Sequence, residues 1–74
     1  GSSLMGVIPQ ISHQRVIRAL EKAGFAIIRQ EKHISMTKGE IIITIPRANP
    51  VNTYTLRGII EDAGLRIEQF KELL

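Results

Sequence analysis

The sequence predicts an α+β domain in the order α-β-β-β-α-α, a three-stranded antiparallel sheet with helices on one face. Three observations predict it. Apolar residues recur at helical spacing on both sides of a central stretch, Phe25 to Ile45, that alternates with the period of a strand. Gly24 and Gly64 follow directly on the two main helical stretches, where a left-handed residue ends a helix. Lys38-Gly39 divides two alternating runs as a hairpin turn, which makes those runs antiparallel neighbours.

Taken in order, Ser12 is placed to cap the first helix, whose apolar positions are Val16, Ile17, Leu20 and Ala23. Phe25 to Gln30 reads as the first strand, with an apolar run too short to say which face is buried. His33 to Thr37 is the second strand: Ile34 and Met36 share one face, and His33, Ser35 and Thr37 share the other. Glu40 to Ile45 is the third, with Ile41, Ile43 and Ile45 on one side and Ile42 and Thr44 opposite. Pro46 ends the ladder because it has no amide proton to donate. Arg47 to Thr53 is a loop around the Asn49-Pro50 turn signal. A second helix follows from about Tyr54 to Ala63, with Leu56, Ile59, Ile60 and Ala63 on its apolar side. Glu68 to Leu74 is a short last helix offering Phe70, Leu73 and Leu74. Helices on one face of the sheet bury every one of these stripes.

At 74 residues the chain is one small domain with one small core. Gly1 to Leu4 read as an expression-tag remnant, and residues 5–74 as the domain proper. The hydrophobic fraction of 43% suits a globular fold, and no stretch approaches the roughly 20 apolar residues of a membrane span. The start has neither the basic nor the apolar region of a signal peptide, so a cytoplasmic protein is expected. Without cysteine there is no disulfide frame and no thiolate zinc site. Two histidines with no close acidic cluster are a poor transition-metal site, so neither metal nor cofactor is expected.

Charge is uneven. From Ser12 to Gly58, eight bases face three acids, and the remainder to Leu74 is net acidic, within an overall +3. On charge alone the favoured reading is ordinary solvated surface; the alternative is one face suited to a polyanion. His33 stands in the basic part, beside Lys32 and close to Arg29 and Lys38. An imidazole on the polar face of a strand, among cations, is poorly placed as core filling and well placed to meet a phosphate. His13, in the first helical turn, is expected to be solvated. Tyr54, the single tyrosine, is read as either stacking on a base or packing against the second helix, with packing the favoured reading.

Several short motifs then point in one direction. They are Ala23-Gly24-Phe25, Arg29-Gln30, His33 with Met36, Ile45-Pro46-Arg47, Asn49-Pro50-Val51-Asn52, Thr55-Leu56 and Ala63-Gly64-Leu65. In this order and spacing they resemble the HicA-type toxins, the YcfA-like family of mRNA interferases. The resemblance implies a fold similar to a double-stranded-RNA-binding domain and a catalytic histidine at the start of the second strand, which falls on His33. It further implies cleavage of mRNA, a block on translation, and neutralisation by a HicB-type antitoxin. Many members carry Gly-Ser immediately before the histidine, where this chain has Glu31-Lys32. Lys32 adds a cation suited to phosphate, and Glu31 adds a carboxylate that repels it.

Metal-independent RNA cleavage needs a group to move the 2′-hydroxyl proton and cations to steady the charge that builds on phosphorus. An imidazole, which titrates near pH 6.5 as a class, serves the first need. Lys32, Arg29, Arg47 and Lys38 are the candidate cations, and Ser35 shares the His33 face as a further phosphate contact. Two other accounts use the same residues: a non-catalytic module for double-stranded RNA, and a protein-interaction domain using Ile42 and the apolar end at Phe70, Leu73 and Leu74. The first predicts binding of duplexes without cutting.

Overall fold

The computed structural model describes Ile8 and residues 10–74; the expected tag remnant, Gly1 to Leu4, lies outside the described residues. The elements are α1 (His13–Lys22), β1 (Ala26–Gln30), β2 (His33–Lys38), β3 (Ile41–Pro46), α2 (Thr53–Asp62) and α3 (Ile67–Glu72). The strands form one antiparallel sheet in the order β1-β2-β3. This is the predicted fold class and element order.

The core follows from the apolar stripes. Val16, Ala19 and Leu20 of α1 and Leu56, Ile59 and Ile60 of α2 are buried with Ile34, Met36, Ile43 and Ile45 of the sheet and Phe70 of α3. Both α1 and α2 pack on β3, and α3 adjoins α2. The opposite face of the sheet stays accessible, and Ile42 on it is 66% exposed. Among the described residues, no helix is long and apolar enough to cross a membrane.

Helix starts show where local expectation needs correction. Ser12 is the N-cap of α1, with extended backbone, but its hydroxyl makes no capping bond. The His13 amide instead donates to the Ala48 carbonyl, 3.1 Å away in the loop after β3. One of the free first-turn amides is thus satisfied by the loop and none by the serine side chain. At α2 the cap is Asn52, whose side-chain oxygen accepts from the Tyr54 amide at 2.8 Å.

Gly24 ends α1 with a φ of +106°, a conformation closed to most side chains. A Cβ there would also stand 3.3 Å from the Lys38 side chain. Gly24→Ala is expected to lower stability by roughly 1–3 kcal/mol, mostly from backbone strain. A urea titration with an unchanged midpoint would contradict this.

One irregularity matters for the site. Ala26 and Ile27 pair with Thr37 and Met36, whereas Arg29 and Gln30 pair with Ser35 and Ile34, so the register slips by one residue at Ile28. A bulge of this kind places one extra residue on the bulged strand and re-aims those beyond it.

Candidate active site

His33 opens β2 opposite Pro46, the last residue of β3. Strand alternation sends Ile34 and Met36 into the core and leaves His33, Ser35 and Thr37 on the accessible face. The His33 side chain is exposed, and no described residue bonds to its ring. Its position therefore owes nothing to an internal hydrogen bond.

The bulge decides where Arg29 goes. In an unbroken register Arg29 would sit opposite Ile34, on the core side. With Ile28 as the extra residue, Arg29 lies opposite Ser35, on the His33 face, and Ile28 is left 56% exposed. Ser35 is in turn paired with Thr44. Arg29, Ser35 and Thr44 thus form one cross-strand row behind His33.

The Glu31-Lys32 turn joins β1 to β2, closed by the Glu31 amide donating to the His33 carbonyl at 3.1 Å. Among the described residues, no non-glycine residue has a positive φ, so this turn does not require the glycine that many relatives carry. Glu31 draws both arginines in. Its carboxylate lies 3.8 Å from the Arg29 guanidinium, and its carbonyl accepts from Arg47 Nε at 2.8 Å. The acid expected to repel phosphate therefore offsets one cation while its backbone anchors a second. Both partners of the Arg29 pair are mostly exposed, so its Coulomb energy is well screened. Lys32 is exposed at the same turn.

Lys38 is not brought to this site. It lies at the far end of β2, about 17 Å of extended chain from His33. It also shares the alternation of Ile34 and Met36, so it reaches towards the helices. There Nζ donates to the Ala23 carbonyl at 2.8 Å and lies 5.8 Å from the centre of the Phe25 ring. Proximity in sequence misplaced it: residue parity along a strand decides the face.

Two further side chains, His13 and Tyr54, depart from expectation, and a third, Thr37, is already engaged. His13 is half-buried rather than solvated, with Nδ1 3.2 Å from the Ala48 carbonyl, and so helps to fasten the loop after β3 to α1. The Thr37 hydroxyl is spent inside the hairpin, donating to the Ile41 carbonyl at 2.9 Å. Tyr54 does not pack: it is 87% exposed. No sequence signal marks the Ile28 bulge or the two bonds at Glu31, since both depend on how separate strands meet.

An accessible imidazole beside an arginine, a serine and a turn that carries Lys32 can exchange a proton with a bound phosphodiester and hold its charge. The family model for the HicA toxin of bacterial toxin-antitoxin systems matches residues 14–65, a stretch that contains all of these groups. The chain belongs to the HicA toxin family. No curated protein and no solved structure matches it. The match covers the sheet, α2 and all but the first residue of α1, and stops short of α3, so the HicA signature resides in the layers that build and back the His33 face.

Proposed function

We propose that this HicA-family chain is the toxin of a type II toxin–antitoxin pair, a metal-independent endoribonuclease that cleaves mRNA with His33 and so blocks translation. The observation that carries the reading is the exposure of His33 on the uncovered sheet face, with Arg29 and Ser35 in the adjacent row. In the proposed reaction the neutral imidazole takes the proton of the ribose 2′-hydroxyl. The 2′ oxygen attacks the neighbouring phosphorus, and the bond from phosphorus to the 5′ oxygen breaks. The leaving oxygen takes a proton from water, and the hydroxide so formed takes the proton back from the His33 imidazolium, which restores the neutral ring. The products are a 2′,3′-cyclic phosphate and a 5′-hydroxyl.

Arg29, Arg47 and Lys32 hold the phosphate and stabilise the charge of the transition state. The Nε of Arg47 is occupied by the Glu31 carbonyl, which leaves its terminal nitrogens to meet an anion. A HicB-type antitoxin is the expected protein partner. The test is incubation of the purified protein with mRNA in excess chelator, followed by analysis of the fragment ends. Cyclic phosphate ends are expected. Duplex binding with no cleavage would favour the alternative of a double-stranded-RNA-binding module.

Glu31 supplies a second check. Glu31→Ala removes an anion from the site and releases Arg29, while the backbone bond to Arg47 is kept. An exposed pair is worth at most about 1 kcal/mol, so stability should change little and RNA affinity at low salt should rise by at most about fivefold. Raising the salt should erase the gain. Weaker RNA binding by this variant at low salt would contradict the proposed role of Arg29.

A further inference from the structure

Tyr54 is out of place for a residue of a small core. The other two aromatics, Phe25 and Phe70, are buried, whereas Tyr54 is 87% exposed. It lines an open cavity of about 230 Å³ with Ile8, Thr53 and Arg57. Arg57 lies one helical turn further along α2, so a cation and an aromatic ring line the same cavity. Arg57 is itself exposed, with a screened ion pair to Glu61 at 3.4 Å.

The position of this cavity in the fold gives it a use. β3 ends at Pro46, opposite His33, and the chain then turns through a loop into α2. That loop is tied down at both ends, by Ala48 to His13 and by Val51 to Ile11. Asn52 then fixes the first turn of α2 through the Tyr54 amide. The chain thus leads from the His33 end of the sheet through a fastened loop to Tyr54 on the helix side, with Arg47 on the chain between them.

We propose that Tyr54 and Arg57 form a stacking subsite for a base of the single-stranded RNA whose phosphate meets His33. The inference rests on the RNA reading above and adds where a further nucleotide of that strand is held. Every base has a π face, so a ring beside a guanidinium binds a nucleotide whatever its sequence. A protein partner fits less well. Among the described residues, the other large exposed apolar side chains, Ile28 and Ile42 on the sheet and Leu74 at the chain end, belong to other elements, so apart from the half-buried Ile8 of its own cavity the ring lacks the apolar surround that interface anchors have.

The test uses 2′-O-methyl RNA oligonucleotides, which lack the attacking hydroxyl and so report binding without cleavage. Each carries 2-aminopurine at one position in turn, whose fluorescence falls on stacking. The parent should quench one position strongly. Tyr54→Ala should lose that quench and bind roughly 5- to 150-fold more weakly, and Tyr54→Phe should keep both properties. Because the ring is exposed, the alanine variant should fold as the parent does, which its melting curve confirms or denies.

If the parent binds and cuts RNA while Tyr54→Ala does the same with the quench intact, this subsite is overturned and the ribonuclease reading stands. A parent that binds no oligonucleotide and cuts no mRNA overturns both. Unchanged RNA affinity together with weakened binding of the antitoxin would assign the ring to a protein interface, and would likewise overturn the subsite.

Discussion

His33→Ala is expected to give a protein that folds normally and no longer cuts RNA. The fold should survive because the ring is exposed and no described residue bonds to it, so its removal leaves neither a cavity nor an orphaned partner. A surface change of this kind is usually worth within about 0.5 kcal/mol. The chemistry should fail because no second described imidazole is free to replace it: the ring of His13 is half-buried against Ala48. Loss of a positioned general base typically costs on the order of 10²- to 10⁴-fold in rate. Single-turnover cleavage of a labelled mRNA, run beside a thermal melt, measures both halves. A variant that cuts at the parental rate ends the case for His33, and one that has lost its fold shows the ring to be structural.

Phe70→Ala should have the largest effect on stability. Phe70 is the only residue of α3 that is fully buried, and it ranks first by volume among the fully buried side chains of the described residues. Truncating a buried phenylalanine costs about 3–5 kcal/mol, from lost burial and the cavity left behind. A domain of this length has a total stability of about 4–11 kcal/mol, so the variant stands at or near the edge of unfolding. At roughly 4–8 °C per kcal/mol, the melting temperature should fall by at least about 12 °C, read by far-ultraviolet circular dichroism. Leu74→Ala, at an exposed position, should shift it far less. A Phe70→Ala melt within a few degrees of the parent would mean that α3 contributes little to the core.

The two variants also separate the layers of the molecule. The family match stops at residue 65, before α3, yet Phe70 completes the same hydrophobic cluster as Met36 and Ile43 of the sheet. Residues 66–74 thus support the His33 face from behind without adding a described side chain to it.

Much of this was legible in the chain. Strand alternation placed His33 and Ser35 opposite Ile34 and Met36, and helical spacing named most of the core residues of α1 and α2. The short motifs pointed to the family. Lys38, His13 and Tyr54 were misjudged for a common reason: what a long or aromatic side chain touches depends on elements distant in sequence. Lys38 is claimed by the Ala23 carbonyl, His13 by Ala48, and Tyr54 by nothing in the core.

By itself the sequence determined the element order, the apolar faces and the side of β2 on which His33 stands, because periodicity and turn chemistry act over a few neighbouring residues. Only the tertiary structure decided which cations join it. A one-residue slip at Ile28 turns Arg29 onto the histidine's face, and the Glu31 carbonyl holds Arg47 beside the same turn. Register and reach are properties of pairs of segments, fixed when strands and loops pack together, and a single strand read alone carries neither.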